Sequence, residues 1–410
     1  MSEILVLGAG MVGVSSALAL QAQGHQVVLV DRHSSCRETS YGNAGVIQTE
    51  AAEPYALPRN LMTLFRYGCG FSNDVLWQPG ALLRMKPALW RYFRHSAPAE
   101  HARISRIYSQ LTSRAADDHA PLVAAAGAQS LISTDGLSEV YRQQSGFESA
   151  AKEAARFKEQ YGISSRILDG ATYREEEPAL KQAPAGVIHW NESWSCRDPG
   201  ALTDDYRALF LQRGGSYRQG DAQTLSQSAK GWRVEGESGP IEAEQVVIAL
   251  GPWSPQLLRR FGYRIPMIYK RGYHGHFNAP LALKRPFLDA DNGVVVASMA
   301  KGMRVTSGAA LVALDSKTQP TQLERGAEAL RSLVDLGERI DEPQWFGTRP
   351  CMPDMLPLVG AAPNHQGMWF NFGHGHQGFT LGPTTGQLLA EIMAGVDSEI
   401  TRGLAPGTRL

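Results

Sequence analysis

The stretch from Ile4 to Asp31, ILVLGAGMVGVSSALALQAQGHQVVLVD, constrains this chain more than any other. Ile4-Leu5-Val6-Leu7 has the length and branching of a buried strand. It runs straight into Gly8-Ala9-Gly10-Met11-Val12-Gly13, a G-x-G-x-x-G. Val14 to Gln23 supplies small and apolar residues for a helix packed on a sheet. Gly24-His25 turns the chain, and Gln26 to Val30 reads as a second strand closed by Asp31. Gly8 permits the tight turn, Gly10 lets backbone approach a pyrophosphate, and Gly13 lets helix and strand pack closely. The free N–H groups and positive dipole end of the helix suit phosphates. Asp31 stands where an acid accepts hydrogen bonds from ribose hydroxyls. Strand, glycines, helix, strand and acid in this order predict dinucleotide binding. The motif alone does not separate FAD from NAD.

A chain of 410 residues can hold two domains or one large bilobal one. Forty basic residues balance forty acidic ones, so no global field favours nucleic acid. Cys36, Cys69, Cys196 and Cys351 form no C-x-x-C and read as reduced thiols. No run of about 18 apolar residues predicts a membrane-crossing helix. With the first strand starting at Ile4, no signal peptide is expected. The expected location is the cytoplasm, or a peripheral position on the cytoplasmic face of the inner membrane.

Arg32 to Ile47 is rich in hydroxyl, amide and glycine and reads as a loop entering a short helix. Leu76 to Arg94 mixes aromatic and basic residues. An amphipathic surface for anionic lipid competes there with a helical pair packed on the domain. Pro79 and Pro87 favour the pair, because proline interrupts a long helix. Ile104 to Gly127 predicts one long helix, Leu131 to Arg142 a hairpin, and Glu148 to Tyr161 a charged amphipathic helix. Glu175-Glu176-Glu177-Pro178 reads as an acidic turn capping a helix rather than a metal site. Asp198 is a candidate N-cap for a helix over Ala201 to Gln212. Gln245 to Leu250 is a buried strand ending at Gly251, followed by a helix over Ser254 to Phe261. Leu323 to Leu336 and Thr384 to Ala394 are further helices.

These residues together resemble the FAD-dependent D-amino-acid oxidoreductases, the family of D-amino-acid oxidase, sarcosine oxidase and the bacterial D-amino-acid dehydrogenases. Five blocks carry the resemblance: Gly8–Gly13 with Asp31; Glu38-Thr39-Ser40 with Asn43-Ala44-Gly45; Val247 to Ser254; Lys270-Arg271-Gly272-Tyr273; and Arg349-Pro350 with Pro353-Asp354 and Gly373-His374-Gly375. The second and last look most like the dehydrogenase branch. The resemblance implies an α/β fold, a Rossmann-like FAD-binding domain with an inserted mixed, strand-rich α+β substrate domain. Residues 1–50, 198–264 and 346–400 would form the first, and 51–197 with 265–345 the second.

It also implies roles. Met11, Val12, Arg32, Thr39, Ser40, Asn43, Ala44, Gly45 and Val46 would line the pyrophosphate, nucleotide and flavin ring. Ala222, Gly251 and Trp253 would enclose the nucleotide. Gly375, Gln377, Gly378, Phe379 and Thr380 would cradle the flavin at the start of the last helix. Arg349 would hold the substrate carboxylate in a bidentate fork. Tyr273, Tyr55 and His374 would form the pocket wall, with Tyr273 and His374 orienting the amine or taking its proton. The reaction implied is hydride transfer from the α-carbon of a D-amino acid to flavin N5. A secondary-amine oxidoreductase for hydroxy-D-proline, glycine or sarcosine is the alternative, as is a flavin subunit within an electron-transfer complex. A quinone or protein would accept the electrons.

Three departures stand out. Sarcosine oxidases link flavin to a cysteine further upstream of the Pro-Asp pair, so a non-covalent FAD is expected, with Cys351 a small core residue. His376-Gln377 replaces a small or apolar pair and suggests a more polar ligand. His374-x-His376 lacks the Cys or carboxylate partners of a zinc site, so no metal is expected.

Overall fold

The computed structural model describes residues 1–34, 37–68, 73 and 75–410. Cys36 and Cys69 lie outside the described residues; Cys196 and Cys351 are free thiols. The strand Glu3–Leu7 lies between the parallel strands Gln26–Asp31 and Gln245–Ile248. Ser216–Ser228 extends the parallel array beyond Gln26–Asp31, and Met368–Phe372 extends it beyond Gln245–Ile248. An antiparallel pair, Gly231–Gly236 and Gly239–Ala243, completes one edge and Leu358–Ala361 the other. Eight strands thus draw the start, middle and end of the chain into one sheet.

Burial on both faces explains the near-continuous apolar run of the first strand. Ile4 and Val6 pack towards the helices Met11–Ala22, Pro199–Gln212 and Gly382–Met393. Leu5 and Leu7 pack the other way, on a cluster with Trp232, Tyr263 and Phe370. Asp198 caps its helix by accepting the Ala201 N–H at 3.0 Å, as expected.

A second sheet of ten strands is built around Ile268–Phe277. That strand pairs antiparallel with Gly302–Thr306, Ala309–Leu311 and Trp345–Cys351. The sheet also takes in Val75–Trp77, Leu137–Tyr141, Ser165–Asp169 and Gly186–Trp190. A last segment of the first domain starting at 346 therefore does not match the pairing, which puts 345–351 in the second sheet. The helices Pro98–Thr112 and Ala115–Ala125 were expected with the substrate domain. Their Ile104, Tyr108, Leu111 and Val123 belong to the core of the first sheet.

Several local expectations change. The described residues of 32–34 and 37–45 form bends and turns, with no helix among them. The long helix expected over 104–127 is two, breaking at Ser113-Arg114. The expected hairpin around Gly136 does not form. Ile132–Ser133 pairs with Trp194–Cys196, whereas Leu137–Tyr141 pairs with Gly186–Trp190. Glu176 ends the helix Gly170–Glu176 and pairs with Arg166 and Arg285. The helix expected over 323–336 ends at Leu330.

The expected helical pair over 76–94 is one helix, Pro79–His95, preceded by the strand Val75–Trp77. Pro79 occupies the first turn, where no backbone donor is needed. Pro87 sits on the exposed side, so the carbonyl it leaves unpaired can bond water. No described helix is long and apolar enough to cross a membrane.

Candidate active site

Between the two sheets lies a cavity of about 1350 Å³. That exceeds the roughly 300–1,000 Å³ usual for one drug-sized ligand, leaving room for a dinucleotide and a substrate together.

One end is the glycine turn. Gly8 has φ +105°, and a Cβ on Gly13 would lie 1.7 Å from the Gly8 carbonyl oxygen. Only glycines let this turn close. The Met11 N–H donates to Ser40 Oγ at 3.0 Å, tying the helix start to the 39–45 loop. Asp31 accepts the Ala9 N–H at 2.6 Å and the His33 N–H at 3.1 Å. Its carboxylate braces the turn and keeps lone pairs towards the cavity. Arg32 lies 4.6 Å over the Trp253 ring and pairs with Glu38 at 2.7 Å.

Gly8, Gly10, Met11, Val12, Asp31, Arg32, Thr39, Ser40, Asn43, Ala44, Val46, Ala222, Gly251, Trp253, Gly375, Gly378 and Phe379 all line the cavity. Gly13, Gly45, Gln377 and Thr380 do not; they shape what lines it. Gly45 turns at φ +74° against the Cys196 carbonyl. Gln377 donates to Gln48 Oε1 at 3.0 Å, and Thr380 Oγ1 bonds the Val46 carbonyl at 3.3 Å.

The loop over 373–380 crosses the middle of the cavity. His119 anchors it from behind, a role the sequence did not suggest. Its Nδ1 meets Tyr206 Oη at 2.9 Å, and its Nε2 lies 3.1 Å from both the Phe379 and Thr380 carbonyl oxygens. Burial pulls its pKa down to about 4, so the neutral ring donates from Nε2. His374 is likewise held neutral by burial, with a pKa pulled down to about 3, and its Nε2 meets Thr385 Oγ1 at 2.9 Å. It lines the cavity but fastens the loop to the last helix, which argues against it as a proton acceptor.

At the other end stands Arg349, half-buried and lying against Gly272, where a Cβ would lie 2.8 Å from its guanidinium. It donates to the Gly308 carbonyl at 2.9 Å and the Ser307 carbonyl at 3.2 Å. Lys270 faces its partner strand at Arg349 and lines the same cavity. Its ammonium lies 3.3 Å from Tyr92 Oη. Tyr55 and His376 have ring centroids 5.1 Å apart, and both line the cavity. Tyr55 is 65% accessible, but its phenol is enclosed by the cavity walls, and its pKa is pushed up by burial and by Glu139 and Glu50. Burial, Arg349 and Lys270 lower the His376 pKa to about 3.

Tyr273 lines the cavity beside Lys270 and Gly272, but its ring and hydroxyl are held elsewhere. Its ring packs with Phe346 in the second core, and its hydroxyl accepts the Gln319 N–H at 3.2 Å. Strand side chains alternate, so Tyr273 points to the face opposite Lys270 and Gly272. Cys351 packs against the cluster of Met85, Tyr92 and Ile268 and also lines the cavity, and burial pushes its thiol pKa up.

Two carboxylates complete the wall. Glu50 accepts from Gln48 Nε2 at 2.8 Å and from Ser193 Oγ. Glu139 accepts from Tyr141 Oη at 2.7 Å and Trp190 Nε1 at 3.1 Å. Burial pushes Glu50 up to about 7 and raises Glu139.

The family model described as "DAO: FAD dependent oxidoreductase" matches residues 3–392. The chain belongs to this family. A D-amino acid dehydrogenase of Paramagnetospirillum magneticum is 31% identical, the match covering 97% of this chain and 96% of that protein. A D-amino-acid oxidase of Bradyrhizobium diazoefficiens is 29% identical, covering 98% of this chain and 97% of that protein. Among solved structures, glycine oxidase from Geobacillus kaustophilus superimposes with a TM-score of 0.76 at 18% identity, covering 98% of each chain, a likeness of fold.

As a member, the protein is an FAD-dependent oxidoreductase, and its residues fit that cofactor. The uncapped start of the Met11–Ala22 helix, with Gly10 as N-cap, leaves donors for the pyrophosphate. Gly10 has no Cβ to block that approach. The cavity continues along the 39–46 strip to the 373–379 loop.

His274, His276 and Glu342 lie close enough together to share a metal ion. Arg304 already brings a cation there: its Nε donates to His276 Nε2 at 3.0 Å. The same guanidinium donates to the Tyr41 carbonyl at 3.2 Å and the Asn43 carbonyl at 2.7 Å. This buried arginine clamps the cofactor strip to the second sheet.

Proposed function

We propose that the protein oxidises the α C–N bond of a D-amino acid to an imino acid. The observation that supports this most is the half-buried cation pair Arg349 and Lys270, facing the cavity near the 373–380 loop. Arg349 uses two of its five N–H donors on Ser307 and Gly308, leaving a fork for a planar carboxylate. Lys270 adds a second positive charge. Tyr55 and His376 wall the α-carbon. When bound, FAD supplies the two-electron acceptor for the hydride leaving that carbon. The nitrogen lone pair closes the C=N bond as the C–H bond breaks. Water then hydrolyses a primary imine to a 2-oxo acid and ammonium. Glu50, near neutrality in pKa, is suited to take the ammonium proton first.

The D configuration rests on the names of the relatives. FAD is held without a covalent bond: Cys351 carries a protonated, weakly nucleophilic thiol. A quinone or a protein takes the electrons onward.

The test is anaerobic bleaching of the purified flavoprotein by D- and L-amino acids, prolines and N-methylglycine. Bleaching by D-amino acids and not their L forms is expected. A preference for cis-4-hydroxy-D-proline over D-alanine would move the substrate to secondary amines. Failure of every amino acid would refute the reading.

A further inference from the structure

The helix Pro79–His95 buries Ala81, Met85, Ala88 and Tyr92 beside Ile268 of the second sheet. Its opposite side carries a ridge, Leu83, Pro87, Trp90 and Arg94, spaced to fall on one face of a helix. On it Leu83 is 75% and Trp90 61% exposed. The neighbouring helix Leu61–Gly68 adds Met62 at 67% and Phe65 at 62%. Four large apolar side chains on two adjacent helices are thus mostly exposed to solvent.

The charge around them has one sign. Arg59, Arg84, Lys86, Arg91 and Arg94 are all exposed. Between residues 54 and 99 the sequence has six basic residues and a single acid, Asp74, in a chain with no net charge. Arg59 lies 4.1 Å over the Phe93 ring, and Trp90 stacks on Phe93 at 5.8 Å. An apolar ridge bordered by cations, with an interfacial tryptophan, matches the headgroup boundary of a bilayer. It matches a protein partner less well, because the only polar group on the ridge, Arg94, sits at its end and the remaining charges are cations around it, with no hydrogen-bonding pattern to set a register.

We propose that the face formed by the 61–68 and 79–95 helices lies flat on an anionic lipid bilayer. The inner sides of the same helices reach the cavity through Leu64, Tyr67, Leu82 and Leu89. Docking there sets the cavity wall against the membrane. If the amino-acid reading holds, a lipid-soluble quinone would reach the reduced cofactor from that side.

The binding test needs no turnover, so its outcome is separate from that reading. The flavin-loaded protein is sedimented with phosphatidylcholine vesicles and with vesicles containing one third phosphatidylglycerol. Binding about 10-fold or more stronger to the anionic vesicles, and weakened by salt, is expected. Leu83→Ser/Trp90→Ser should lose about 10-fold or more in binding while keeping its flavin spectrum. Arg84→Gln/Arg91→Gln should lose mainly the preference for anionic lipid. Equal or absent binding to both vesicles would overturn the proposal. So would a wild-type dimer that Leu83→Ser/Trp90→Ser converts to monomer without vesicle binding, because the occupant would then be a second copy of the chain.

Discussion

Replacing Arg349 tests the amino-acid reading most directly. The guanidinium has five N–H donors, and two are committed to the Ser307 and Gly308 carbonyls. The free fork can place two parallel bonds on a carboxylate, each worth about 1.5–3 kcal/mol because both partners are charged. Burial pulls the Arg349 pKa down, but an arginine starts so high that it stays protonated. Arg349→Lys keeps the charge and loses the fork. One bond of the pair goes, together with its geometry, about 3 kcal/mol or roughly 100-fold in kcat/KM. Arg349→Ala also strips the charge and leaves two carbonyls without donors, so about 1,000-fold and some stability should be lost. Flavin content should stay the same in both, since Arg349 touches no part of the glycine turn. The assay is the rate of anaerobic flavin bleaching against substrate concentration. A matched amine lacking the carboxylate should lose little in either variant. A folded, flavin-loaded Arg349→Ala that oxidises the D-amino acid at a near-normal rate would refute the carboxylate fork and the main support for the substrate class.

Gly10→Val should abolish flavin loading, because a Cβ there already sits 3.3 Å from Ser40 Oγ and the added methyls enter the path of the pyrophosphate; retention of FAD on gel filtration would show that the turn is only structural. Asp31→Ala should weaken loading less. Acid precipitation should release FAD to the supernatant, and a yellow pellet would show a covalent link. Glu50 has a folded pKa above its unfolded one, so its contribution is fully present below the unfolded value near 4.5 and is lost as pH rises through about 7. Glu50→Gln should therefore raise Tm at pH 8 and change it little at pH 4; an equal shift at both pH values would show that the carboxyl does not titrate in this window.

The first sheet was legible because its code is local. Gly8, Gly10, Gly13 and Asp31 act through backbone approach within one strand-turn-helix, and spacing alone places them. Asp198 was legible as a cap for the same reason. The contacts of the Tyr273 ring and hydroxyl were not, although strand alternation held a clue: Lys270 and Gly272 share a face, and Tyr273 lies on the other. Pro87 misled because proline weakens a helix without forbidding it where water can bond the freed carbonyl.

By itself, then, the sequence determined the dinucleotide turn, written in contiguous residues whose spacing has a steric meaning, and the family likeness, which implied the candidacy of Arg349. Only the tertiary structure decided that Lys270 stands beside Arg349, that Glu50 and Glu139 close the same cavity, and that His119 holds the 373–380 loop by its carbonyls. It alone showed that Leu83 and Trp90 face outward. The reason is that these residues meet, or fail to meet, through strand pairing and helix packing between segments far apart in the chain. No local pattern encodes a distance of that kind.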